Sequence, residues 1–432
     1  MKFLLNIEKN NQTKVIEYDS EASRFTDLSS GELFFKSKHK TFDQYSPIFT
    51  IAKPINHLYI MMGMKCNFKC KYCHQLKIAK TSQVADFTPS MVDGFIAELK
   101  NNRVEPRRIS LWGGEPLVYW KTLLKLIPEL RKIYPETKIN FPTNGSLLTK
   151  DKIQFLTQHH IGICLSYDGT DSNRGNDEGK TTSRLLEQEK VVQALQHADP
   201  PVAVMPTLNK KTISIQRLEK EFSDKSIPIR HIALYTIARC SPYNAELANE
   251  ILITKDSAKF YEDLIYSTIK KCRSDEKSFI LYHGLIHRLN KAKELLTTGT
   301  PLSSDQLMFC PNSVGMDVTV DGQGKIFNCM NIPVHVIGNI RSLNSINFET
   351  KTIFQNHLYK DKCYTCPYIV FCKGGCPMVF DENSNIFEIN CSNLKVLSRP
   401  MFRAAMEDLF DGTLTRISLD GSVVEDFKDF NH

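Results

Sequence analysis

The chain has 432 residues, 41% hydrophobic, 24% charged and 10% aromatic, with a formal net charge of +7. That length suggests two or three compact units, and those fractions exclude collagen-like, coiled-coil and wholly disordered chains. No apolar run approaches the ~18 residues that span a bilayer. The start, MKFLLNIEKNN, has too short an apolar core and no small-residue cleavage site for a signal peptide. Acidic and basic residues are intermixed, so the modest positive charge points to neither nucleic acid nor membrane. The anomaly is 13 cysteines, an odd number, ten of them in two groups of tight spacing. With no export signal they read as metal-binding or catalytic thiols of a cytoplasmic protein rather than disulfides.

Along residues 1–55, short apolar or alternating runs (Lys2–Ile7, Lys14–Tyr18, Gly31–Phe35) predict a small β-rich extension. From residue 56 a clearer rhythm begins. Strand-like runs recur at His57–Met62, Arg108–Trp112, Lys138–Pro142, Gly162–Tyr167, Val202–Pro206 and His231–Ile237. Helical spacing lies between and after them, at Met91–Asn101, Trp120–Ile133, Lys150–His159, Ser183–His197, Ile213–Phe222 and Asp256–Lys271. Six such alternations predict an α/β fold with a parallel sheet, best drawn as a partial (β/α)6 barrel because six units fall short of a closed eight. The expected division is 1–55 extension, 56–275 barrel, 276–308 helical linker (with Phe279–Leu296 as its helix), 309–395 cysteine-rich region, and 396–432 tail. That tail is predicted to open with a helix over Pro400–Phe410.

Cys66, Cys70 and Cys73 form Cys-x3-Cys-x2-Cys just after the first barrel strand. A short loop can aim three thiolates at one centre, and three ligands to a four-iron cluster leave one iron open. Zinc is the competing reading, but it usually takes a fourth nearby Cys or His, for which His74 is awkwardly placed. The pattern, with aromatic Tyr72 before the last cysteine, resembles the cluster loop of the radical S-adenosylmethionine (SAM) enzymes. The resemblance runs over about residues 56–275. It implies that SAM chelates the open iron and is cleaved to a 5′-deoxyadenosyl radical.

Three further segments carry that likeness, each after a predicted strand. Gly113-Gly114-Glu115 resembles the family motif that meets the methionine amino group. Pro142–Gly145 and Ser166–Gly169 resemble segments lining the SAM ribose and carboxylate. The resemblance therefore implies Asn144, Ser166 and Asp168 as cofactor contacts, with Arg174 as a carboxylate partner. Read alone, Gly-Gly-Glu-Pro, Asn-Gly and Asp-Gly are turns at least as readily as sites.

The second group runs Cys310, Gly324-x4-Cys329, Cys363-x2-Cys366-x5-Cys372-x3-Cys376 and Cys391. One or two zinc ribbons would explain part of it. The whole resembles the SPASM domain that follows radical SAM barrels and holds two auxiliary [4Fe–4S] clusters, so three [4Fe–4S] clusters are expected in all. The likeness implies Cys363, Cys366, Cys372 and Cys391 for the distal cluster, and Cys310, Cys329 and Cys376 for the proximal one. The fourth proximal position is then an open site, a non-cysteine ligand such as Asp317, or a remote thiol. Cys164, Cys240 and Cys272 remain as ordinary thiols, Cys240 being nearest the expected active face.

The resemblance implies an oxidoreductase that matures a ribosomally made precursor peptide, forming a thioether or carbon–carbon (cyclophane) crosslink. A flavodoxin- or ferredoxin-type donor is the implied electron source. Epimerisation and sulfatase maturation are alternatives. Against the latter, Met330 and Asn331 stand where maturases place an Asp directly after the cysteine matching Cys329. The non-enzyme alternative is an iron–sulfur electron carrier or a zinc-stabilised interaction protein. The 55-residue extension is shorter than a complete leader-peptide-binding domain, so its role in peptide binding is open.

Overall fold

The computed structural model describes residues 1–20, 24–34, 48–50, 54–169, 174–175, 182–209, 215–234, 252–253, 255–298, 316–345, 347–349, 366–372, 375–376 and 386–427. Cys240, Cys310 and Cys363 lie outside these residues.

Alternating burial builds the first three strands, β1 (Lys2–Lys9), β2 (Gln12–Asp19) and β3 (Arg24–Asp27). Phe3, Leu5, Ile7, Ile16, Tyr18 and Phe25 share the buried face. The described part of the Gly31–Phe35 run follows a turn at 28–30 and does not form a regular strand. Asp27 accepts from Ser29 N at 2.8 Å, and Gly31 N donates to Asp27 O at 2.8 Å with φ +71°. Leu33 is left with a single bridge to Thr26. β4 (Ile48–Thr50) follows.

All six expected barrel strands are present: β5 (His57–Met61), β6 (Arg108–Trp112), β7 (Lys138–Thr143), β8 (Ile161–Leu165), β9 (Val202–Val204) and β10 (Ile229–Ile232). They are parallel neighbours in chain order. Leu58, Ile60, Ile109, Leu111, Ile139 and Phe141 are each no more than 2% exposed, on the face packed into the main core. The opposite phase carries His57, Tyr59, Ser110, Trp112 and Asn140, with His57 Nε2 and Ser110 Oγ 2.8 Å apart. The crossovers are helices, among them α1 (His74–Ile78), α2 (Val92–Asn101), α3 (Trp120–Ile133), α4 (Lys150–Gln158), α5 (Glu189–Gln196) and α6 (Ile215–Ser223). Each strand therefore ends, at its C-terminal side, in a loop that leads back to a helix.

α7 (Lys255–Ser274) leads into the linker, where one expected helix is two, α8 (Glu276–Leu281) and α9 (His283–Thr298). Asp275 caps α8 by accepting from Ser278 N at 3.1 Å. Beyond it β11 (Asp317–Asp321) pairs parallel to β5, and β12 (Lys325–Phe327) and β13 (Val336–Asn339) continue antiparallel. The cysteine-rich region thus extends the barrel sheet. β14 (Asn347–Glu349) pairs with β4.

After α10 (Ile369–Cys372), the last helix α11 runs Ile386–Phe410, far longer than Pro400–Phe410, and Cys391 lies within it. The expected tail has no strand after Phe410, although Asp420-Gly421 between the apolar runs Leu414–Leu419 and Val423-Val424 is a hairpin signal. The structure has two, β15 (Thr413–Leu419) and β16 (Ser422–Asp426), and β15 pairs with β1. No described helix is long and apolar enough to cross a membrane.

Candidate active site at the strand ends

The Cys66–Cys73 loop leaves β5 on the side where the six parallel strands end. It closes on a turn from Cys73 N to Cys70 O at 3.0 Å. Each thiol has backbone N–H groups directed at it. Phe68 N donates to Cys66 Sγ at 3.4 Å, Gly175 faces Cys70, and Gln75 and Leu76, in the first turn of α1, face Cys73. Burial pushes the Cys66 thiol up to about 12 and Cys70 up to about 11, and raises Cys73 as well. Cys70 is buried, Cys73 half-buried and Cys66 exposed; thiols supplied with N–H donors suit thiolates bound to a metal centre, and loading one must release their protons. Among the described residues no three His, Cys, Asp or Glu side chains converge on a single-ion site. The three cysteines of a four-iron cube ligate separate irons, so the donor set fits a cluster without such convergence.

The Gly-Gly-Glu turn after β6 is pressed against the base of this loop. A Cβ at Gly114 would lie 2.4 Å from Lys65 O, and one at Gly113 2.5 Å from Gly63 O. These glycines therefore admit backbone to backbone, rather than only a ligand to backbone. Gly114 N and Glu115 N donate to Gly63 O and Lys65 O at 3.0 and 2.9 Å.

Glu115 is 1% exposed and both oxygens are engaged. Oε1 accepts from Leu117 N (3.0 Å) and Thr143 Oγ1 (2.8 Å), and Oε2 from Asn144 N (2.7 Å). Burial raises its pKa and these bonds oppose the rise. Asn144 continues the chain, Nδ2 donating to Asn67 Oδ1 in the cysteine loop at 3.0 Å. Ser166, after β8, is half-buried and its N donates to Thr143 O at 2.8 Å.

Tyr72 donates to Asp168 Oδ2, while Asp168 Oδ1 accepts from Thr207 N at 2.8 Å and from Arg174 at 3.2 Å. The Arg174 guanidinium lies 5.4 Å from the centre of the Tyr72 ring. All the described candidates in this half of the chain therefore meet at one end of the sheet, within a hydrogen-bonded frame. Asn67, Thr143 and Thr207 belong to that frame and were not singled out from sequence. Small polar residues in loops carry no distinguishing signal until a fold brings them together.

The second cysteine group divides in space. Cys366 lies within electrostatic reach of Cys391 and beside Tyr18 of β2. Cys329 is buried with Met61, Met64, Ile78 and Ile332, and Cys376 packs on that same group. Gln75 Nε2 donates to Met330 O at 3.0 Å, fastening this stretch to α1. Asp317 is placed apart from these contacts: it opens β11 opposite His57 and accepts from Asn56 Nδ2 at 3.0 Å. Cys164 is buried on β8 and Cys272 donates to Ser278 O, both in core positions.

Comparison with known proteins agrees with this geometry. A family model described as a 4Fe–4S single cluster domain matches residues 58–184. The radical SAM cyclopropyl synthase TigE of Paramaledivibacter caminithermalis is 24% identical over 156 residues. The serine-type anaerobic sulfatase-maturating enzyme of Bacteroides thetaiotaomicron is 30% identical over 147. These matches span 33% and 35% of those two proteins, about a third of their length, and 32% of this chain. The cysteine-type sulfatase-maturating enzyme of Clostridium perfringens is 22% identical over 375 residues, spanning 79% of this chain and 95% of that protein. The solved structure of native anSMEcpe with bound AdoMet superposes with a TM-score of 0.56 at 19% identity, covering 82% of this chain and 99% of that one, which shows a shared fold.

Four motif-bearing loops at the ends of successive parallel strands, a cysteine-rich extension of the same sheet and these matches point to one class. The chain is similar, in fold and in the segment that carries its first three cysteines, to the radical SAM enzymes that carry a C-terminal SPASM region. A [4Fe–4S] cluster and SAM are the cofactors of that family.

Proposed function

We propose that this protein abstracts hydrogen from an unactivated side-chain carbon of a ribosomally made precursor peptide and so forms an intramolecular crosslink. The observation that carries the reading is the frame joining the Cys66–Cys73 loop to Glu115, Asn144 and Asp168 across four strand ends. Peptide as substrate is supported by analogy: a structure of anSMEcpe with bound AdoMet and the Cp18Cys peptide shares this fold at TM-score 0.55 and 20% identity.

In this reading Cys66, Cys70 and Cys73 hold the SAM-cleaving cluster. Cys310, Cys329, Cys363, Cys366, Cys372, Cys376 and Cys391 serve two auxiliary clusters, three [4Fe–4S] clusters in all. When bound, the first cluster supplies the electron that cleaves SAM to a 5′-deoxyadenosyl radical. Gly113–Glu115 would stand at the methionine end, and Asn144 and Ser166 would line the ribose. Tyr72 and Asp168 hold Arg174 where a carboxylate would meet it. The buried side chains of Glu115, Asn144 and Asp168 beside the loop would exclude water on that side of a reactive carbon centre. A flavodoxin- or ferredoxin-type protein is the expected electron donor.

The second reading is sulfatase-type maturation of a Cys or Ser to formylglycine, favoured by the match across 95% of the Clostridium perfringens enzyme. Incubating reduced, iron-loaded protein anaerobically with SAM and any short peptide found encoded beside its gene separates the two. Crosslinking predicts 5′-deoxyadenosine and loss of two hydrogens, with no product captured by a hydrazide. An aldehyde that a hydrazide captures would establish maturation instead. Unchanged mass with inverted stereochemistry would establish epimerisation. If Cys70→Ala still yields 5′-deoxyadenosine, the active-site reading fails.

A further inference from the structure

We propose that the indole N–H of Trp112 is a hydrogen-bond donor to the auxiliary iron–sulfur centre that Cys329 and Cys376 would share; the inference rests on the cluster reading above. Trp112 is the last residue of β6, directly before Gly113, and meets Tyr59 edge-on with ring centres 5.6 Å apart. Its Nε1 is out of contact with solvent and has no hydrogen-bond partner among the described residues. An indole nitrogen can only donate, and a buried donor left unpaired is costly.

The ring packs on Met61, Met64, Ile78, Cys329 and Ile332, the group on which Cys376 also packs. Apart from main chain, the acceptors this group offers are sulfur atoms. Thioethers and thiols accept weakly, whereas thiolate or sulfide of a loaded centre accepts charge-assisted bonds. Backbone already serves the same sulfur, since Ile332 N donates to Cys329 Sγ at 3.3 Å. An N–H directed at cluster sulfur favours the more negative, reduced form, so this donor raises the centre's reduction potential. Because Gly113 locks onto Gly63, the same residue sits between the SAM-loop base and the second cysteine group.

The test uses the iron-loaded full chain. Trp112→Phe keeps an aromatic ring and removes the donor. The expected result is a more negative midpoint potential for one auxiliary cluster, with iron content and the potential of the SAM-cleaving cluster unchanged. The chain has only two tryptophans, and Trp120 packs on Phe155 at 5.4 Å in the helical layer. Indole-15N labelling of the Trp120→Phe protein therefore leaves one labelled ring with residue 112 intact. Pulsed EPR of its reduced auxiliary cluster should show 15N coupling, and the signal should persist when Cys70→Ala removes the SAM-cleaving cluster.

Full iron content with an unchanged potential and no 15N coupling overturns the proposal. A raised peptide KM with unchanged potential also overturns it, placing the donor on substrate. If Trp112→Phe fails to hold iron, the 15N coupling decides alone. Iron sufficient for only one cluster would overturn the auxiliary-cluster reading itself, a distinct result.

Discussion

Asp168 has no solvent exposure, and its two oxygens accept from Tyr72, Arg174 and Thr207 N. The sequence likeness implies a SAM contact, and in the structure Asp168 also seats Arg174 against the Tyr72 ring. Asp168→Asn keeps the shape but puts an amide N–H where an acceptor is needed. A charge-assisted bond contributes ~1.5–3 kcal/mol, so SAM affinity should fall by roughly tenfold or more. Calorimetric titration with SAM checks this, and iron content should be preserved.

A second residue carries a pH prediction. Burial pushes Asp317 up to about 6, and the bond from Asn56 opposes that rise only in part. A carboxyl whose folded pKa exceeds its unfolded value contributes stability below pH ~4 that is lost as pH rises through about 6. Asp317→Asn removes the loss while keeping an acceptor for Asn56. The variant should melt higher than the parent at pH 8, by on the order of 1–3 kcal/mol, and the gap should close as pH falls below about 4. Loss of iron in the same variant would instead identify Asp317 as a ligand.

At the scale of elements, the strand–helix alternation was legible because each crossover leaves a mark in one dimension. Parallel strands covered on both faces read as short apolar runs, and amphipathic helices read as 3.6-residue spacing. Trp120–Ile133 is a helix over the expected residues even with Pro128 inside it. Ser183–His197 is broken into a 3-10 turn (Thr182–Glu187) and α5, a subdivision that apolar spacing does not encode. The glycine pair was legible as a motif but its reason was not. Gly114→Ala would drive a methyl into Lys65 O, next to Cys66. Relieving that contact shifts the cysteine loop at a cost of about 1–3 kcal/mol. The variant should lose the iron and visible absorbance of one cluster while the C-terminal cysteines keep theirs, which iron assay with Cys70→Ala as reference measures.

At the scale of the whole molecule, the two ends of the described chain build one sheet in the order β16-β15-β1-β2-β3. It packs on α11 through aromatic contacts, Tyr18 to Phe402 at 5.9 Å and Phe25 to Phe410 at 5.3 Å. Tyr18 also lies near Cys366. The N-terminal extension therefore covers the region of Cys366 and Cys391. Ile417 is fully buried opposite Leu5, so Ile417→Ala should cost about 2–4 kcal/mol. Because α11 carries Cys391, guanidinium titration should show the absorbance of C-terminal clusters bleaching earlier in this variant.

By itself the sequence implied the class of chemistry through a family resemblance, because the thiol spacing within one loop and the turns after successive strands that carry the likeness are local features of short segments. It also determined the order of the barrel strands, because adjacent parallel strands joined by helices have few alternatives. Only the tertiary structure decided where the cysteine-rich region attaches, why both ends of the chain share a sheet, and that Glu115 and Asp168 hold loops together. Those depend on pairings between residues hundreds of positions apart, such as Asn56 with Asp317 or Leu5 with Ile417. Such contacts form when burial of each partner's apolar face is met by the other, and neither segment carries that information alone.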